Sequence, residues 1–101
     1  MIYITQPTYM PWIGYFSYLL KCKKVVFLDD VQFSRKSWQQ RNKIFKETGF
    51  QYLTVPVEKK GKYDQKVNEV MVKNINFFDD HLKIIKHTYS KSLFFNDIFN
   101  Q

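Results

Sequence analysis

Any chemistry done by this chain must come from four short stretches. The first is Gln6-Pro7-Thr8-Tyr9-Met10-Pro11-Trp12, where two prolines stiffen the backbone and Gln6, Thr8 and Tyr9 offer polar groups just ahead of a helix. Helix N-termini attract anions, so this turn reads either as a rigid connection or as a ligand pocket. The second is Asp29-Asp30 at the end of an apolar run. Two adjacent carboxylates there could hold an amino group or a divalent cation, or could open a turn or cap a helix. Successive strand residues point oppositely, so at most one reaches a given ligand. The third stretch surrounds Trp38 with Arg35, Lys36 and Arg41. It suits a phosphate clamp with a stacking ring, a single-stranded nucleic acid, or a solvated basic loop anchored by a buried indole. The fourth is His81, which could face a cleft; His87, six residues on, lies on another side of the helix and excludes an i, i+4 metal pair.

Much else is excluded by what is missing. Cys22 is the single cysteine, so no intramolecular disulfide or zinc knuckle forms, and it reads as a small hydrophobe in a reducing compartment. Neither GxxxxGK[ST] nor GxGxxG occurs, no metal site is specified, and no cofactor can be deduced. Sixteen Lys and Arg against nine Asp and Glu give a formal charge of +7, which favours nucleic acid, acidic lipid headgroups or phosphorylated small molecules. The start lacks a signal-peptide pattern. The apolar stretches 13–20 and 25–28 fall far short of the roughly 20 residues needed to cross a bilayer, so a cytoplasmic protein is expected.

The elements that must position these groups follow from the hydrophobic pattern. With 101 residues, 45% hydrophobic and 19% aromatic, the chain has material for one α/β domain and argues against disorder. Residues 2–5 predict a strand ending at Gln6-Pro7. Trp12, Phe16, Leu19 and Leu20 then mark one face of a helix in which Gly14 hints at the close approach of another backbone. Residues 25–28 are continuously apolar, the pattern of a strand buried on both faces, and complete a βαβ-like unit that begins a short mixed sheet. Residues 34–43 read as a surface loop with one helical turn. A β-hairpin spans about 43–55 around Gly49, with Pro56 ending it. A basic loop at 58–65 and a short strand at 67–72 precede a C-terminal amphipathic helix over 76–91, marked by Phe78, Leu82, Ile85 and Tyr89. Apolar residues 93–99 end the chain and call for something to pack on.

Four separated runs carry a resemblance. They are Gln6-Pro7-Thr8-Tyr9-Met10-Pro11-Trp12-Ile13-Gly14-Tyr15-Phe16, Phe27-Leu28-Asp29-Asp30-Val31-Gln32-Phe33, Trp38 with Arg41-Asn42-Lys43-Ile44, and Leu53-Thr54-Val55-Pro56-Val57. In that order they resemble the WbqC-like protein family, and the segment from His81 through Phe94-Phe95 extends the likeness over nearly the whole chain. The sequence departs from the family pattern at Lys24, Gln40 and Ser92, where an acidic residue, Asn and Pro are usual.

The resemblance implies a bacterial protein of O-antigen or other surface polysaccharide synthesis, a transferase placing glycine or another acyl group on a nucleotide-linked or lipid-linked amino sugar. Family chains are about twice this length, which implies an N-terminal half whose partner segment, or a protein partner, is missing. In this reading Gln6, Tyr9, Trp12 and Tyr15 shape the pocket, Asp29, Gln32 and Trp38 also contact substrate, and Arg41 with Asn42 clamps a phosphate or carboxylate. Asp30 is the expected general base or amine ligand, and His81 the second catalytic candidate. A basic nucleic-acid-binding module and a noncatalytic interaction domain are the alternatives.

Overall fold

A computed structural model describes all 101 residues. The chain forms β1 (Ile2–Thr5), α1 (Ile13–Lys21), β2 (Lys24–Phe27), β3 (Arg41–Lys46), β4 (Gly49–Thr54), a 3-10 turn at Val67–Glu69, α2 (Phe77–Tyr89) and a short α3 (Phe95–Phe99). The class is α/β. The strands form two separate pairs, β1 with β2 parallel and β3 with β4 antiparallel. The β1–α1–β2 unit is the expected βαβ crossover, with Ile2 opposite Lys24 and Thr5 opposite Phe27.

Tyr3 of β1 stacks on Tyr18 at 5.3 Å between ring centroids and meets Tyr15 edge-on at 6.0 Å, so α1 covers one face of the parallel pair. The other face is bare. Ile2 and Ile4 are 61% and 59% exposed beside the exposed Val26, so the expected two-sided burial of residues 25–28 is not realised within these 101 residues. Gly14 is explained differently from the expectation as well. A Cβ there would overlap the Trp12 ring, so the close neighbour is an indole folded back over the first helical turn rather than another backbone.

In the hairpin, Ile44 of β3 and Leu53 of β4 face inward and are buried, as strand alternation requires. Glu47 and Thr48 form the connection, and the left-handed step falls on Gly49 at φ +136. Helix α2 packs against β3, and the Phe45 N–H donates to the Tyr89 hydroxyl at 2.9 Å. Its inward stripe holds His81, Leu82, Ile85 and Tyr89, whereas Phe78 is exposed. Asp79 and Asp80 in the first turn and Lys86 and His87 in the last oppose the helix dipole favourably. The strand expected over 67–72 is instead the 3-10 turn plus an isolated bridge between Val57 and Val72, because only Val72 finds a strand partner.

The buried hydrophobic core is small: Tyr15, Phe33, Ile44, Leu53 and Val57. Accessible surface is 8137 Å², against about 6,100 Å² for a compact monomer of this mass. The radius of gyration is 15.7 Å, where about 13 Å is typical of 100 compact residues. About 2,000 Å² of surface therefore lies open beyond what a closed domain shows.

Candidate functional site

Parallel pairing brings two functional turns to one end of the molecule. Thr5 lies opposite Phe27 and its carbonyl accepts the Leu28 N–H at 2.8 Å, so the Gln6–Trp12 turn and the Asp29–Gln32 turn leave from the same carboxyl ends. Ligands of α/β folds bind at such ends.

The first turn is fastened from several sides. The Tyr9 N–H donates to the Trp38 carbonyl at 2.9 Å, the Tyr15 hydroxyl to the Gln6 carbonyl at 3.3 Å, and Gln39 Nε2 to Gln6 Oε1 at 2.6 Å. Met10 takes the left-handed conformation, φ +47, which a non-glycine residue adopts at some energetic cost. Asn42 stabilises it by donating from Nδ2 to the Met10 carbonyl at 2.6 Å. These ties hold Trp12 and Trp38 around one pocket of about 340 Å³ whose other walls are Thr8 and Asn42. The indoles are 65% and 54% exposed, so Trp38 is not the buried anchor of a basic loop; that anchor is Gln40. Gln40 is 3% exposed, accepts the Lys36 N–H at 2.8 Å and donates to the Val55 carbonyl at 2.9 Å.

His81 lies beneath the turn and is 7% exposed. Its Nδ1 is 2.6 Å from the Tyr9 hydroxyl, the one side-chain hydrogen bond the ring makes. In the neutral ring that carries its proton on Nε2, Nδ1 accepts from the Tyr9 hydroxyl. Burial holds the His81 pKa below its ordinary value, against the smaller upward pulls of the Thr54 backbone and the Asp80 charge; burial also raises the pKa of Tyr9. Buried and bonded to Tyr9 through Nδ1, His81 ties α2 to the Gln6–Trp12 turn.

The remaining expected site residues are placed as follows. Asp29, Asp30 and Gln32 are exposed; the Asp29 carbonyl accepts the Asn68 N–H at 2.9 Å, and Gln32 forms an isolated bridge with Lys66. Arg41 and Asn42 are not brought together as a clamp. Adjacent on β3, they point to opposite faces, Asn42 toward the Met10 turn and Arg41 outward with its guanidinium 3.9 Å from the Tyr52 ring centroid. Gln39 and Gln40, neither of them an expected site residue, shape the 34–41 loop through their side-chain hydrogen bonds. No cluster of His, Cys, Asp or Glu is arranged to hold a metal ion, and no helix is long and apolar enough to cross a membrane.

A curated protein of Mycobacterium tuberculosis (strain ATCC 25618 / H37Rv), "Uncharacterized protein Rv1507c", is 33% identical over 95 residues, covering 94% of this chain and 41% of its own. The chain thus spans about two-fifths of the length of the curated relative it matches. No solved structure matches significantly. The model of the WbqC-like protein family matches residues 6–101, a span that includes the fastened turn, both indoles and His81, and the chain belongs to that family.

Proposed function

We propose that this chain supplies the sugar-binding surface of a cytoplasmic transferase that places glycine or another acyl group on a nucleotide-linked or lipid-linked amino sugar during surface polysaccharide synthesis. The observation that carries the reading is the pair of exposed indoles, Trp12 and Trp38, held around one pocket with Thr8 and Asn42. Large aromatic faces left open to water invite an apolar partner such as the C–H face of a sugar ring, and the Thr8 hydroxyl is at hand for a sugar hydroxyl. Tyr9, Tyr15, Gln6 and Asn42 act by holding that wall.

Asp30 is the general base of this reading. The sugar ammonium gives one proton to its carboxylate, the freed amine attacks the carbonyl of an activated acyl donor, and as the new N–C bond forms the donor's leaving group departs with its electron pair and takes the second proton from the nitrogen. Such a step needs water excluded, yet Asp30 is exposed. The reading therefore includes further polypeptide, equivalent to the unmatched remainder of the curated relative, closing over the open surface. About 2,000 Å² is the scale of one side of an obligate interface.

The test is calorimetric titration of the chain with a nucleotide-linked amino sugar, repeated with Trp12→Ala and Trp38→Ala. Each substitution is expected to weaken binding at least about tenfold, the loss of one stacking surface. Equal affinity in all three proteins removes the indole pocket from the account.

A further inference from the structure

A second pocket, of about 710 Å³, is lined by Gln40, Val57, Glu58, Lys59, Lys60 and Lys73 among others. Its charge is one-sided. Glu58 is its one carboxylate, and Glu58 is tied to Lys62 at 3.0 Å, so the ammonium groups of Lys59, Lys60 and Lys73 have no anion between them. We propose that this pocket binds the phosphate or diphosphate group of an anionic ligand.

The walls are built rather than loose. On one side the Val57–Val72 bridge is flanked by Glu58 N–H to the Met71 carbonyl at 2.9 Å and Lys73 N–H to the Pro56 carbonyl at 2.8 Å, fixing Lys73 across from Pro56. On the other, the turn that carries Lys59 and Lys60 is closed by Lys62 N–H to the Lys59 carbonyl at 3.1 Å, with Gly61 at φ +70. Arg35 braces that turn from behind, donating through Nη2 to the Lys59 carbonyl at 3.3 Å and the Lys62 carbonyl at 2.8 Å. The floor is buried and neutral: Val57, and Gln40 with its carboxamide already bonded at both ends.

Three cations on a braced rim around a neutral floor repel one another until an anion enters. Lysines act as point charges without the fork geometry of arginine, so the site selects by charge number: diphosphate over phosphate over chloride, with steep loss in salt. The volume leaves room for groups attached to the phosphates. Trp38 and Asn42 line the indole pocket while Gln40 lines this one, so a single segment contributes to both. The site nevertheless stands without the sugar reading, since it rests on the lysines and their bracing alone.

The experiment is a two-dimensional amide NMR titration of the 101-residue chain with inorganic pyrophosphate at low salt. It is repeated on Lys59→Gln/Lys60→Gln/Lys73→Gln and on Lys21→Gln/Lys23→Gln/Lys24→Gln, which removes the same charge from the end of α1. Shifts confined to residues 54–62 and 71–73, at least about tenfold weaker binding in the first triple variant, and less than about twofold change in the second establish the site. Equal weakening in both variants, or shifts spread over every lysine, means general charge attraction and overturns it, as does absence of binding to the wild-type chain. A nucleotide-linked sugar and a short oligothymidylate are then added separately. If the sugar conjugate reproduces the pyrophosphate shifts, the phosphate comes from a small conjugate; if the oligonucleotide alone does so and extends them along Lys43, Phe50 and Tyr52, the site serves nucleic acid and a small-conjugate phosphate source is overturned.

Discussion

Tyr9→Phe removes a single oxygen and leaves the ring in place against Phe77 and His81, whose centroids lie at 6.3 and 5.6 Å. That oxygen is the partner of His81 Nδ1 at 2.6 Å, and His81 is 7% exposed, so the nitrogen is left buried without its donor. An orphaned buried polar atom costs about 1–3 kcal/mol. In a domain of this size about 2 kcal/mol corresponds to roughly 8–16 °C in Tm. The assay is urea unfolding followed by the fluorescence of Trp12 and Trp38, with His81 titrated in parallel by NMR. A donor to Nδ1 stabilises the neutral ring, so its loss also moves the His81 pKa upward in the variant. A stability change under about 0.5 kcal/mol together with an unmoved His81 titration would refute the claim that this bond pins the turn.

Three further outcomes follow from the same geometry. Stability is full above pH 6.5, the unperturbed His81 value, and falls as pH drops below it, because the unfolded ring takes up a proton that the buried ring resists. Urea midpoints at pH 7.5, 6.5 and 5.5 should show this slope, and His81→Gln should remove it; an identical slope in both proteins assigns it elsewhere. Gly14→Ala gains about 1 kcal/mol of helix propensity but drives the Trp12 ring off α1, so sugar affinity should fall while stability holds; unchanged affinity would mean Trp12 does not need that seat. Gln65 is buried with neither carboxamide atom bonded, so Gln65→Met should stabilise by about 1 kcal/mol in urea unfolding, and a loss would reveal a bond that Gln65 makes.

The elements most legible in the sequence are those whose cause is local. Residues 2–5 form β1 as read, β2 differs by one position, and α2 occupies Phe77–Tyr89 within the expected 76–91, because β-branched runs, a breaking Pro7 and 3.6-residue periodicity act over a few neighbours. Residues 67–72 do not form the expected strand because their valines meet no full partner strand; the Val57 contact to Val72 is tertiary. Of the site, the Gln6–Trp12 turn, Trp38 and Asn42 were visible as motifs. The separation of Arg41 from Asn42 follows from strand alternation once β3 starts at Arg41, two residues ahead of the expected hairpin. The Tyr9–His81 bond joins residues 72 apart, and nothing in local spacing signals it. The burial of Gln40 is equally a product of the loop's own hydrogen bonds.

The central claim is that Trp12 and Trp38 form one sugar-binding wall. Its most direct test is the pair of indole Nε1–H signals in a two-dimensional NMR spectrum of the chain titrated with a nucleotide-linked amino sugar. The account predicts that both signals shift together along one saturable curve, with accompanying changes at Thr8 and Asn42. Indole signals that stay fixed while the sugar conjugate binds elsewhere would contradict it.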